Sequence, residues 1–181
     1  MLINLNYEDL QIDKNFAEEV YKNVNKDFDF KLGNAVLKDD INILGHLLNI
    51  SKPQIIVETG TNIGLSTLVL TYPEFVEKVI TYDLPENEDL HRLIPHEFIG
   101  IAFKNTLFEN KIEQRFERTT TLDELPVADF YFFDSDHSYD TIFKEYDLAI
   151  KAVKKIISLH YFLYFMMQYM IGHGNQRFNI Y

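Results

Sequence analysis

The segment spanning residues 55–70, IIVETGTNIGLSTLVL, constrains the fold of this chain more than any other. Its first residues, 55–57, are apolar and β-branched without polar alternation, which is typical of a strand buried on both faces of a sheet. Gly60 and Gly64 then allow a sharp reversal and a close backbone approach. A Ser-Thr pair at 66–67 follows where a helix would begin, with its unpaired N–H groups directed at the loop. The segment therefore predicts a strand, a tight loop and a helix N-terminus.

Apolar periodicity divides the chain into alternating helices and strands. Helices are predicted at residues 7–25, 35–50, 65–72, within 91–110, and at 139–155, with a short helical turn at 122–125. Strands are predicted from residue 55 and at residues 78–82, 111–116, 129–133 and 156–165. Because parallel neighbours need crossover connections, this alternation predicts a mainly parallel α/β sheet, doubly wound with helices on both faces.

Three of the predicted strands end in an acid, namely Glu58, Asp83 and Asp134. One acid after a strand is routine in turns, but three on one rim form a pattern. Ligands of open α/β sheets bind beyond the carboxyl ends of the strands. We therefore expect a ligand site at this rim.

The order Glu58-x-Gly60-x-Asn62-x-Gly64 places the acid before the first glycine. A dinucleotide fingerprint has G-x-G-x-x-G with its acid about 20 residues later, so an NAD-type oxidoreductase is the less favoured alternative. The spacing resembles the first motif of class I S-adenosylmethionine-dependent methyltransferases. The family often has glycine where this chain has Asn62, a residue type that tolerates positive φ.

The resemblance implies a Rossmann-like fold and S-adenosylmethionine as cofactor. In the family, the acid-glycine loop passes under the methionine part of the cofactor, and the acid that closes the second strand binds the ribose hydroxyls. The implied cofactor-binding residues are Glu58, Gly60, Thr61, Asn62, Gly64, Ser66, Asp83, Leu84 and Asp134.

A second motif lies at residues 133–139, Phe-Asp-Ser-Asp-His-Ser-Tyr. It resembles the D-G-D-H-S-Y motif of a methyltransferase branch that includes O-methyltransferases acting on sugars and other small molecules, with Ser135 in place of glycine. The two motifs and Asp83 cover residues 35–155. The resemblance implies O-methylation of a small-molecule or sugar hydroxyl.

Methyl transfer requires alignment of the acceptor oxygen and removal of its proton. Asp134 and His137 are the predicted catalytic residues, and His137 is the better base on intrinsic pKa. Asp134 and Asp136 are the candidate ligands of Mg²⁺ or Mn²⁺, which would lower the pKa of the acceptor hydroxyl. The alternative is that Asp136 caps the helix that starts near Ser138 and that His137 packs under the loop.

Composition limits the partners. The formal net charge of −11 argues against a generally basic nucleic-acid surface, and the absence of cysteine excludes disulfides and thiolate metal sites. The N-terminus lacks the apolar segment of a signal peptide, and the apolar residues 156–171 are too short and interrupted for a convincing membrane span. We expect a cytoplasmic protein with a small-molecule acceptor and no nucleic-acid or membrane partner, and a homodimer remains open.

The C-terminal part differs from the rest. Every Asp and Glu lies at or before Asp147, and residues 156–181 are an atypical tail. The family's fifth strand usually follows a glycine pair and often ends in His-Asp, whereas this chain has no such pair and has Tyr161 after His160. We expect an N-terminal helical segment at 1–34, a Rossmann-like domain at 35–181, and a truncated or altered C-terminus. This leaves open a non-catalytic S-adenosylmethionine-binding remnant.

Overall fold

The computed structural model of the protein describes residues 3–5, 38–88, 94–159 and 178–180. The helix predicted at 7–25 lies outside these ranges. The strand predicted at 156–165 lies outside them from His160 onward.

Five parallel strands form the central sheet, in the order β4-β3-β2-β5-β6. They are β2 (Ile55–Thr59), β3 (Lys78–Asp83), β4 (Ile112–Phe116), β5 (Ala128–Phe133) and β6 (Val153–Leu159). Two short strands, β1 (Ile3–Leu5) and β7 (Phe178–Ile180), pair antiparallel in a separate sheet. The central strand β2 lies between β3 and β5. The carboxyl ends of β2 and β5, which carry the two sequence motifs, are therefore neighbours in the sheet.

Helices cover both faces of the sheet. They are α1 (Lys38–Ser51), α2 (Leu65–Thr71) and α3 (Tyr139–Ala149). Helices α1 and α2 pack against the face that presents Ile56 and Phe130, and α3 packs against the face that presents Val57 and Tyr131. This alternation along the strands is the signature of a doubly wound sheet, and the predicted fold class is confirmed. No helix of the described ranges is long and apolar enough to cross a membrane.

The helix predicted within 91–110 is wrong for the part that the structure describes. Residues 94–110 contain 3₁₀ turns at His96–Phe98 and from Glu109, and no α-helix. Gly100 and Asn105 adopt positive φ, and the N–H groups of Gly100 and Ala102 bond to the carbonyls of Asn62 and Ile63 instead of to their own segment. Tertiary hydrogen bonds therefore override the apolar pattern.

Two other boundaries differ from the sequence prediction. Helix α3 ends at Ala149, a tight turn joins the N–H of Ala152 to the carbonyl of Ala149, and β6 already starts at Val153, opposite Ala128. The helical turn expected at 122–125 is instead a 3₁₀ turn at Thr119–Thr121. Pairing of β6 with β5 therefore makes the end of the helix predicted at 139–155 a strand.

Candidate functional site

A cavity of about 700 Å³ lies beyond the carboxyl ends of β2, β3, β4 and β5. Its wall includes six of the residues predicted from the sequence: Gly60, Asn62, Asp83, Leu84, Asp134 and Asp136. The strand order explains this grouping, because residues far apart in sequence follow neighbouring strands.

The loop after β2 is held against the end of β3. The N–H groups of Gly60 and Thr61 both donate to the carbonyl oxygen of Tyr82, at 2.8 and 3.1 Å. Gly60 has a φ of 93°, and a Cβ there would lie 2.1 Å from the carbonyl oxygen of Asp134. Only glycine therefore lets the loop after β2 pass this close to the loop after β5.

Asn62 and Gly64 continue the loop with left-handed backbones, at φ values of 48° and 90°. The N–H of Asn62 donates to Oδ2 of Asp83 at 2.8 Å, and the N–H of Leu84 donates to Oδ1 of Asp83 at 2.7 Å. Asn62 also accepts the N–H of Ile63 through its own side chain. Asp83 is thereby fixed at the cavity wall by two backbone donors.

Glu58 is fully buried beneath the loop and is not part of the cavity wall. Its Oε2 accepts hydrogen bonds from the hydroxyls of Thr67 at 2.5 Å and Thr81 at 2.7 Å. The Thr81 hydroxyl has one proton and donates it to Glu58, so Thr61, whose hydroxyl lies 2.7 Å away, donates to Thr81. Burial raises the pKa of Glu58 to about 7, and neighbouring hydroxyls only partly offset this.

Three more residues predicted to bind the cofactor lie behind the wall. Thr61 is buried and turned towards Thr81, Gly64 precedes the first turn of α2, and Ser66 lies in that buried turn. They shape the loop, and whether any of them contacts a ligand stays a prediction.

The loop after β5 carries Asp134, which lines the cavity, and His137, which is not among the wall residues. The N–H of Asp134 donates to the carbonyl oxygen of Thr59 at 2.8 Å, which fixes this residue beside β2. Nε2 of His137 lies 4.0 Å from Oδ1 of Asp134, and the His137 side chain is 40% exposed. At this separation the two side chains are close enough for an ion pair when His137 is protonated.

Asp136 braces the start of α3. Its Oδ1 accepts the N–H of Ser138 at 2.9 Å, and its Oδ2 accepts the hydroxyls of Ser138 and Thr141 at 3.0 and 3.2 Å. These donors, led by the Ser138 N–H, lower the pKa of Asp136. Ser138 is the N-cap residue of α3. The cap expected of Asp136 is therefore provided by Ser138, whose Oγ accepts the N–H of Thr141, and Asp136 supports this cap from two residues before it.

The donor set does not fit a divalent metal centre. The Asp136 carboxylate already accepts three hydrogen bonds from the helix start, which occupy three of its roughly four acceptor positions. Within residues 38–88 and 94–159, no three Asp, Glu or His side chains lie close enough to hold a metal ion together.

Glu145 is a cavity residue that the sequence analysis missed. It is fully buried on α3, and its carboxylate accepts hydrogen bonds from the hydroxyls of Thr59, Thr119 and Ser135. The spacing carries a signal: Glu145 lies three residues after Ile142 and three before Leu148, in the apolar stripe of the helix. An acid in such a stripe indicates a buried polar contact.

The sequence alone finds no relatives among characterised families. No protein-family model matches the chain, and no curated protein matches it either.

Solved structures, by contrast, share its fold. A predicted caffeoyl-CoA O-methyltransferase from Staphylococcus aureus has 15% identity and a TM-score of 0.57, covering 94% of this chain and 75% of its own. The O-methyltransferase TomG from Streptomyces achromogenes, in complex with S-adenosylmethionine, has 14% identity and a TM-score of 0.54, with coverage of 88% and 78%. An O-methyltransferase from Bacillus cereus, in complex with S-adenosylhomocysteine, has 18% identity and a TM-score of 0.51, with coverage of 81% and 65%. At such identities these similarities show a Rossmann-like methyltransferase topology.

Proposed function

We propose that this protein is an S-adenosylmethionine-dependent methyltransferase that methylates a hydroxyl of a small molecule or sugar. The observation that carries the proposal is the convergence of Gly60, Asp83 and Asp134 on one cavity at the carboxyl ends of three adjacent strands. The fold shared with S-adenosylmethionine- and S-adenosylhomocysteine-bound O-methyltransferases supports it.

The wall residues fit the cofactor. The Asp83 carboxylate is fixed at the cavity wall by the N–H groups of Asn62 and Leu84, and a carboxylate held there would accept the ribose hydroxyls. Gly60 has no side chain where the loop after β2 meets the backbone of Asp134, and both residues line the cavity. When bound, S-adenosylmethionine supplies an activated methyl group on a sulfonium.

His137 and Asp134 would serve the acceptor. His137 would accept the proton of the acceptor hydroxyl, and Asp134, 4.0 Å away, would stabilise the resulting imidazolium. General-base help of this kind contributes typically about 10²- to 10⁴-fold to rate. The contribution of His137 to the rate is expected to be larger for an acceptor hydroxyl of higher pKa.

The test is calorimetric titration of the protein with S-adenosylmethionine and S-adenosylhomocysteine. We expect micromolar binding, about −8 kcal/mol, and at least about tenfold weaker binding by Asp83→Ala, which loses a ribose acceptor and a loop anchor. Asp123→Ala, the same change at an exposed aspartate outside the cavity wall, is the matched control and should bind normally. A folded protein that binds neither ligand would refute the proposal.

A non-catalytic cofactor-binding protein is the second candidate, favoured by the use of Asp136 as a helix brace rather than as a reacting group. Mass spectrometry of hydroxyl-bearing acceptors incubated with the protein and cofactor distinguishes the two. A methylated product that His137→Gln no longer forms supports catalysis, whereas cofactor binding without product across the acceptor panel supports the non-catalytic candidate.

A further inference from the structure

Glu145 joins three separate segments of the cavity wall. Its carboxylate accepts hydrogen bonds from Thr59 at the end of β2 (3.0 Å), from Thr119 in the 3₁₀ turn after β4 (2.5 Å), and from Ser135 in the loop after β5 (2.9 and 3.0 Å). All four residues line the cavity. The serine that replaces the glycine of the second motif is thus one of the three donors.

The protons of these hydroxyls determine what the wall offers to a ligand. A serine or threonine hydroxyl has one proton and two lone pairs, whereas an ionised carboxylate only accepts. Thr59, Thr119 and Ser135 therefore direct their single protons at Glu145. The hydroxyl oxygens retain lone pairs, so these three side chains accept hydrogen bonds from a ligand in the cavity and do not donate to it.

Glu145 is held in this arrangement by hydroxyls. No salt bridge of the described ranges includes it. Its burial raises the pKa of the carboxyl, while the three hydroxyl donors act in the opposite direction. Measuring binding at pH 8 rather than at neutral pH favours the ionised form.

We propose that Glu145 is a positioning residue: it orients the hydroxyls of Thr119 and Ser135 so that the wall accepts a hydrogen bond from the amino group of the adenine. The inference rests on the proposed function. The proposed function assigns the ribose hydroxyls to Asp83, and the family resemblance implies that the loop after β2 passes under the methionine part. The purine amino group is the cofactor's hydrogen-bond donor that neither assignment covers.

Two ligands that differ at this edge of the purine test the inference. S-adenosylhomocysteine has the 6-amino group, and S-inosylhomocysteine has a carbonyl oxygen in its place together with a proton on the neighbouring N1. If the hydroxyls accept a hydrogen bond from the purine, S-adenosylhomocysteine should bind at least about tenfold more tightly than S-inosylhomocysteine. In S-inosylhomocysteine the carbonyl oxygen would face the hydroxyl lone pairs with no proton between them. Calorimetry at pH 8 gives both affinities for the wild-type protein.

Glu145→Gln should reduce this preference. The amide N–H₂ of glutamine must donate, so at least one hydroxyl turns and presents its proton to the cavity. We expect the ratio of the two affinities to fall by at least about threefold. A purely structural role would weaken both ligands equally and leave the ratio unchanged, which would overturn the inference. Asp147→Asn, at an exposed aspartate on the same helix, is the matched control and should keep the wild-type ratio.

Thr119→Val and Ser135→Ala provide the same test if Glu145→Gln does not fold. Each removes one hydroxyl acceptor while leaving the carboxylate in place, and at least one of them should lower the ratio. A wild-type protein that binds both ligands equally would overturn the inference and leave the proposed function standing. A folded wild-type protein that binds neither would refute both.

Discussion

The backbone N–H of Asn62 donates a 2.8 Å hydrogen bond to Oδ2 of Asp83, which joins the loop after β2 to the end of β3. Asn62 has a φ of 48° and stands where related first motifs often have glycine. The asparagine is thus fixed in a left-handed backbone by the acid that is proposed to bind the ribose. Loop conformation and ligand contact depend on the same carboxylate.

Replacing Asn62 tests the left-handed backbone. Asn62→Gly should change the free energy of unfolding by less than about 0.5 kcal/mol, because glycine adopts positive φ without steric cost. Asn62→Ala should lower it by roughly 1–2 kcal/mol, because alanine keeps the Cβ that disfavours positive φ but loses the side-chain oxygen that accepts the N–H of Ile63. Urea unfolding of both variants measures the difference. Equal stabilities would contradict the strained backbone.

Alanine substitutions at the two glycines of the loop should both destabilise the protein, but only the one at Gly64 should be relieved by a second substitution. A Cβ at Gly60 would meet the backbone of Asp134, whereas one at Gly64 would meet the Phe103 ring at 2.6 Å. Gly60→Ala should therefore lower the free energy of unfolding by at least about 3 kcal/mol. Gly64→Ala should be partly rescued by Phe103→Ala, because the ring is removable and the Asp134 backbone is not.

A double-mutant cycle measures this rescue. The free energy of unfolding of Gly64→Ala/Phe103→Ala should exceed the additive value by at least about 0.5 kcal/mol. The cycle with Gly60→Ala and Phe103→Ala serves as the control and should be additive. Additivity in both cycles would show that Phe103 does not confine Gly64.

Glu58 should make the protein less stable as the pH rises. Burial raises its pKa to about 7 from the ordinary 4.5, so the folded state binds the proton more tightly than the unfolded state. Its stabilising contribution is complete below pH 4.5 and is lost between pH 4.5 and about 7, amounting to about 3 kcal/mol.

Glu58→Gln isolates this contribution, because glutamine keeps the shape and stays neutral. The free energy of unfolding of the wild type minus that of the variant should fall between pH 5 and pH 8. Urea unfolding at unit steps of pH measures it. A difference that stays constant over this window would mean that Glu58 has an ordinary pKa.

We expect Asp136 to stabilise the start of α3 rather than to bind a metal ion. Asp136→Ala removes the acceptor of three hydrogen bonds at the start of α3 and should lower the free energy of unfolding by about 1 kcal/mol. Asp136→Asn keeps an acceptor oxygen and should lose less than half of that. Wild-type stability should not change on addition of Mg²⁺. A Mg²⁺-dependent increase that Asp136→Asn abolishes would contradict the helix-brace assignment.

The parts of the fold that were predictable are those with a local signal. The apolar run from Ile55 with its two glycines predicts β2, the loop and α2, and an acid directly after an apolar run locates Asp83 and Asp134. These features depend on neighbours in sequence. The order of the strands then brings the acids to one cavity.

The parts that were not predictable depend on distant residues. Phe103 lies in an apolar segment that resembles a helix, but this segment packs on α2 and bonds to the loop after β2. Val153 fits the helical pattern of α3, yet it pairs with Ala128 in the sheet. Glu145 belongs to no motif, because its three partners come from three segments, up to 86 residues away.

The contact between Gly60 and Asp134 has a consequence for changing this protein's specificity. The loop proposed to hold the cofactor and the loop proposed to serve the acceptor touch backbone to backbone, and the N–H of Asp134 bonds to Thr59. Neither loop can shift without moving the other. New acceptor preferences should therefore arise more readily from substitutions in segments that approach the cavity from outside, since remodelling the loop after β5 would also disturb cofactor affinity.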